Sequence, residues 1–197
     1  MKIDNLEEGF FYHIYNRGNN SENIFIEEQN YAYFTKLMHR YVLPIADVYA
    51  YCLMKNHFHF LLRIKEKSSV KEHELKYTTV IKPKIISASR QLSHFFNAYS
   101  QAVNKKYERT GSLFEKPFER KRIEDEAYLK RLIVYIHSNP VNHGFCEKVK
   151  DYKWSSFNAI ISENSTKIMR EEVIELFGGK ENFIFCHENL NDEDLIF

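Results

Sequence analysis

The sequence predicts an α+β protein, a ferredoxin-like antiparallel sheet with helices packed on it. Three observations lead there. Segments of period-two alternation and segments of helical spacing succeed one another in the order β-α-β-β-α-β-α across residues 9–139. The second and third of the strands are separated only by Lys55-Asn56, a connection short enough to demand an antiparallel hairpin. A chain of 197 residues, 44% hydrophobic and 28% charged, is also long enough to bury a core without disulfides.

Each element has its own signal. "GFFYHIYNRG" (9–18) is aromatic and β-prone and runs into an Asn-Arg-Gly turn. Residues 27–42, "EEQNYAYFTKLMHRYV", carry Phe34, Leu37, Met38 and Tyr41 at helical spacing, and Pro44 stops that helix. "ADVYAYCLM" and "HFHFLLRIK" read as the hairpin strands, and the polar stretch 65–76 reads as a loop. Residues 77–107 contain Lys82, Lys84, Arg90, Lys105 and Lys106 with no acid, and read as helix from about Lys84. "GSLFEKPFERKRI" is β-like towards its end. "EDEAYLKRLIVYIHSN" (124–139) is the clearest helix, with acids in its first turn and Pro140 expected just past its end. The expected division is one domain over 1–160, then a short helical extension over 161–197 ending in an acidic tail with Asp192, Glu193 and Asp194.

Composition excludes some classes. A net charge of +1 does not by itself announce a nucleic-acid partner, whereas 16 Phe and 13 Tyr leave rings for stacking as well as packing. Cys52, Cys146 and Cys186 have no motif spacing and fit free thiols in a reducing compartment. The first residues lack an apolar signal core and no run reaches membrane-spanning length, so a soluble cytoplasmic protein with no membrane partner is expected.

The chemistry begins at "MKNHFHFLL". In a strand, residues i and i+2 share a face roughly 6.6 Å apart. His57 and His59 therefore project together, while Phe58 and Phe60 point into the core. Two readings stand: a polar sheet face in solvent, or an imidazole pair that holds a metal with a third ligand from elsewhere. The apolar setting favours the second, because the second face of a central strand is rarely open to solvent. On the helix 124–139, Tyr135 and Asn139 are at i and i+4 and share a face. A tyrosine hydroxyl, with a pKa of about 10, needs help to act as a nucleophile. A divalent ion can supply it by polarising a phosphate.

These stretches together resemble the single-tyrosine HUH transposases, most closely the REP-associated tyrosine transposases. The resemblance rests on "FYHIYNRG", "YCLMKNHFHFLL", "GSLFEKPF", "YLKRLIVYIHSNPVNHGF" and "YKWSSF", in order over residues 9–157. It implies an HUH endonuclease domain acting on single-stranded or hairpin DNA. His57, His59 and Asn139 would then be ligands of Mg²⁺ or Mn²⁺, and Tyr135 the nucleophile that forms a covalent 5′-phosphotyrosine. A water-using phosphodiesterase and a non-catalytic hairpin-DNA-binding protein are the rival readings, and a homodimer is left open. Lys55 stands where relatives commonly have proline, which alters the turn and leaves the ligands intact.

For DNA, the basic residues to watch are Arg17, Arg90, Lys105, Lys106, Lys116, Arg120, Lys121 and Arg122. Tyr99, Tyr107, Phe114 and Phe118 lie among them as candidate stacking rings, although most Phe here are expected in the core. His137 and His143 are expected in structural or surface roles. Trp154, Ser155 and Ser156 are expected to cap a helix and anchor the core.

Overall fold

The computed structural model of the chain describes residues 5–66 and 87–189. The elements that build the sheet and its cover are β1 (Phe11–Arg17), α1 (Glu28–Tyr41), β2 (Ala46–Met54), β3 (His57–Ile64), α2 (Ala88–Lys106), β4 (Glu119–Ile123) and α3 (Glu126–Asn142). The four strands lie in the order β2-β3-β1-β4, and every neighbouring pair is antiparallel. This is the ferredoxin-like α+β architecture read from the sequence.

The Lys55-Asn56 turn sets the hairpin register, with Met54 opposite His57 and Cys52 opposite His59. Because the side-chain period is two, that register sends Phe58 and Phe60 to one face and His57 and His59 to the other. On the phenylalanine face, Phe34 of α1 packs 5.4 Å from Phe58, 4.7 Å from Phe95 of α2 and 4.7 Å from Tyr99, ring centre to ring centre. Each fully buried ring of this cluster contributes roughly 1.5–3 kcal/mol. On the histidine face lies α3, which crosses β2 and β3.

Helix ends follow local chemistry. At α1, the Glu27 side chain and the Asn30 side chain satisfy each other's backbone N–H groups. Ser87 caps α2 by accepting from Arg90 N, so that helix begins at Ala88. Its expected onset near Lys84, with Lys82, the loop beyond residue 66 and the tail from residue 190, lies outside the described residues. Asp125 caps α3 by accepting from Tyr128 N.

The far end of α3 departs from expectation: the helix runs through Pro140 to Asn142 rather than stopping before it. A proline in the final turn removes one hydrogen bond donor but does not interrupt a ladder that is already ending. Gly144 then takes φ +69° and Phe145 N donates to the Pro140 carbonyl at 2.8 Å, which closes the turn.

After α3 come α4 (Phe157–Ile161), α5 (Arg170–Leu176) and α6 (Lys180–Glu188). The segment leading into α4 covers the free edge of β2: Leu53 N donates to Trp154 O, and Ser156 N donates to Tyr51 O. Met169 N donates to Val48 O further along the same edge. An open row of backbone groups is thereby satisfied within the chain. Ser156 stands at the α4 N-terminus but makes no cap bond there. Its hydroxyl accepts from Tyr51 N at 2.8 Å and meets His137 Nε2 at 2.7 Å. Trp154 stacks on Tyr31, ring centres 4.6 Å apart. The anchoring role expected of this motif holds; Ser156 makes no cap bond, but Ser155 Oγ accepts from Phe157 N at 3.3 Å at the start of α4.

His137 is fully buried and structural, as expected. Its Nδ1 lies 2.9 Å from His187 Nε2, and His187 Nδ1 donates to Phe183 O at 2.7 Å. This chain of bonds ties α6 to α3. All three cysteines are free thiols, Cys52 buried and Cys186 exposed. Among the described residues, no helix is long and apolar enough to cross a membrane.

Candidate functional site

Where β1, β3 and α3 meet, a cavity of about 730 Å³ opens to the surface. His57, His59, Tyr135 and Asn139 all line it, so the four residues singled out for chemistry come together from two elements far apart in sequence. Strand β3 supplies the imidazoles by alternation, their ring centres 5.2 Å apart. Helix α3 supplies Tyr135, its ring 5.6 Å from that of His59, and Asn139 one turn on.

The second ring nitrogen of each histidine is already engaged. His57 Nδ1 faces Asn56 Oδ1 at 2.8 Å, and a carboxamide oxygen only accepts, so Nδ1 carries the proton. That leaves a lone pair on His57 Nε2, which faces Asn139 Oδ1 at 3.5 Å. The Asn139 amide is oriented by its Nδ2, which donates to the Tyr135 carbonyl at 3.0 Å. Two acceptors thus point at each other, an arrangement that either a proton or a cation between them relieves. Burial holds the His57 imidazole below its ordinary pKa, which works against the proton.

His59 is engaged in the same way. Its Nδ1 lies 2.9 Å from Nε2 of His13, a buried histidine on β1, leaving Nε2 as the ring nitrogen without a protein partner in that bond. Burial holds His59 well below its ordinary pKa and pushes His13 down to about 3, with the Lys121 charge a second cause for His13. The imidazoles are therefore neutral at pH 7, the form that ligates metals. Outer partners such as Asn56 and His13 fix ligand tautomers in many metal sites.

The donor set fits a divalent ion: two neutral imidazoles and one amide oxygen, a mixture better suited to Mn²⁺ than to Mg²⁺. Among the described residues no group of three or more His, Cys, Asp or Glu side chains is gathered closely enough to hold a metal. Asn139 Oδ1, 3.5 Å from His57 Nε2, could supply a third protein donor.

The eight basic residues divide. Arg17 and Lys116 line the cavity, each beside a carboxylate: Arg17 Nε is 3.6 Å from Glu115, and Lys116 Nζ 3.9 Å from Glu119. Lys121, opposite His13 in the β1–β4 register, projects on the cavity's side of the sheet and reaches Tyr128 Oη at 2.9 Å. Arg120 and Arg122 alternate to the other face; Arg120 bonds Ser89 of α2 and covers the Phe118 ring. Arg90, Lys105 and Lys106 belong to α2, also on that face, where Lys106 is paired with Glu27. The candidate stacking rings are corrected by burial: Tyr99, Phe114 and Phe118 are core, and the Tyr107 hydroxyl is bonded to Glu27 and Asn30.

Sequence reasoning passed over four contributors: His13, Asn56, His143 and Phe145. His143 is exposed, as expected, yet its ring centre lies 5.3 Å from that of His57 in the same cavity. Strand alternation offered one signal, since His13 and Tyr15 point to the same face of β1 and Tyr15 is opposite His59.

Fold and site together define an α+β domain that presents a helix tyrosine to a pair of strand histidines. No family model matches the chain. In sequence it is similar to a protein of Haemophilus influenzae named as a REP-associated tyrosine transposase, 28% identical over 112 residues. That match covers 57% of this chain and 59% of the relative, so it spans less than two thirds of the relative's length. In fold it is similar to a solved REP-associated tyrosine transposase bound to a REP hairpin, with a TM-score of 0.59 and 14% identity over 83% of this chain and 86% of that one. The chain thus resembles the REP-associated tyrosine transposases both in sequence and in fold.

Proposed function

We propose that this chain cleaves and rejoins single-stranded DNA, hairpin-containing DNA in particular, by transesterification at Tyr135. The observation that carries the reading is the meeting of Tyr135, His59, His57 and Asn139 in one cavity, with the tyrosine and His59 rings 5.6 Å apart. Tyr135 Oη attacks the scissile phosphorus; the P–Oη bond forms as the P–O3′ bond breaks. The tyrosine gives up its proton and the departing 3′ oxygen takes one up. A 5′-phosphotyrosine and a free 3′-hydroxyl result, and attack by a 3′-hydroxyl on the adduct reseals the strand without ATP.

His57, His59 and Asn139 would hold Mn²⁺ or Mg²⁺, which supplies Lewis-acid polarisation of the phosphate when bound. Asn56 leaves His57 Nε2 deprotonated, and His13 does the same for His59 Nε2 in the tautomer where His59 Nδ1 donates to it. Arg17 and Lys116 at the cavity and Lys121 beside it are the nearest phosphate partners. Hairpin DNA as the substrate is supported by the fold-related transposase bound to a REP hairpin. Tyr135 meets the histidine pair of its own chain, which supports a tyrosine serving that pair.

The test is incubation of the protein with labelled hairpin oligonucleotides and Mn²⁺ or Mg²⁺, read on a denaturing gel. A metal-dependent protein–DNA adduct that is lost in Tyr135→Phe is expected. Cleavage that survives Tyr135→Phe without an adduct would establish the water-using phosphodiesterase instead. Binding without cleavage under either metal, across hairpins of varied sequence, would favour the non-catalytic binder.

A further inference from the structure

Five large apolar side chains among the described residues are substantially exposed, and one of them, Phe145, lines the candidate site. Singly exposed rings on a protein surface usually need no explanation. Phe145 differs in three respects. It is 43% exposed while lining the same cavity as Tyr135 and His57. Its backbone is pinned, because Gly144 turns the chain at φ +69° and Phe145 N is bonded to the Pro140 carbonyl at 2.8 Å. Lys55 Nζ, from the hairpin turn, stands 5.7 Å from the ring centre. An exposed ring on a pinned backbone, with the Lys55 cation over it, suits a flat base attached to a phosphate.

We propose that Phe145 is the stacking platform for an unpaired nucleobase next to the scissile phosphate, with Lys55 facing that nucleotide's backbone. The inference rests on the reading of the cavity as a DNA site and adds its contact with the bases. Stacking is tolerant of sequence, since every base has a π-face. Phe145 therefore supplies affinity for an unstacked nucleotide without choosing which base it is. It also favours single-stranded flanks over duplex, whose bases are already stacked on one another.

The experiment is a binding cycle on the full chain, by fluorescence anisotropy of a labelled hairpin carrying a short unpaired tail of randomised sequence. A matched probe has abasic sites throughout that tail. Phe145→Ala is expected to weaken binding of the first probe by between about five- and about 150-fold, and Phe145→Trp to stay within about threefold of the parent. On the abasic probe, Phe145→Ala and the parent chain are expected to bind alike. An equal loss on both probes, or no loss on either, overturns the platform while leaving the DNA reading intact. A parent chain that binds neither probe overturns the DNA reading and the platform together.

Discussion

The His137–His187 pair makes the most quantitative prediction. Ser156, His137, His187 and the Phe183 carbonyl form one hydrogen-bonded chain, and both imidazoles are buried. The Phe183 carbonyl can only accept, so His187 donates from Nδ1 and offers a lone pair at Nε2 to His137 Nδ1–H. Both rings are satisfied when neutral. Burial pushes His187 down to about 4 and holds His137 well below its ordinary value. In the unfolded chain His187 titrates near 6.5, so below that pH the unfolded state binds the extra proton and stability falls. The loss begins as pH drops through about 6.5 and is complete once it passes about 4; from about pH 7.5 to 5 it comes to about 2 kcal/mol for His187 alone. Urea unfolding of the parent and of His187→Phe, each at both pH values, isolates that contribution. The variant is expected to be less stable at neutral pH, because His137 loses its acceptor, and to lose about 2 kcal/mol less on acidification. Equal losses for the two proteins would refute the buried-neutral assignment.

His57→Ala and His59→Ala are each expected to abolish the metal-dependent adduct while leaving hairpin binding by anisotropy within about threefold, because the basic residues are untouched. His13→Ala, which removes the partner of His59 Nδ1, is expected to weaken Mn²⁺ binding about 10- to 100-fold, read by the free-ion EPR signal. Phe34→Ala is expected to cost about 3–5 kcal/mol in urea unfolding, since that ring is fully buried among five other aromatic rings. A Cβ on Gly18 would overlap the Glu22 carbonyl oxygen, so Gly18→Ala is expected to lower stability by roughly 1–3 kcal/mol in the same assay.

Much of this molecule is legible in its sequence because periodicity is local. Alternation in "HFHF" assigns the phenylalanines and histidines to opposite faces whatever surrounds them. The i, i+4 spacing of Tyr135 and Asn139 puts them on one stripe of a helix for the same reason. A two-residue turn leaves the hairpin no other pairing. Helix ends were less legible: Pro140 lies inside α3 because a final turn loses little when one donor is removed.

What the tertiary structure decided is which of these stripes meet. His57 and Asn139 are 82 residues apart and His13 and His59 are 46 apart, and no local pattern carries those contacts. They arise because β1 and β3 are neighbours in the sheet and α3 packs on the histidine face. Burial likewise sorted the aromatic residues, taking Tyr99, Phe114 and Phe118 into the core and leaving Phe145 open at the cavity. Charge counting nominated eight basic residues, but the sheet separates them onto two faces. The sequence by itself determined the faces, through the periods of strand and helix. Only long-range packing, driven by burial of the apolar residues of α3 (Leu132, Ile133, Ile136) as it lies on β2 and β3, determined that one pair of faces encloses a site.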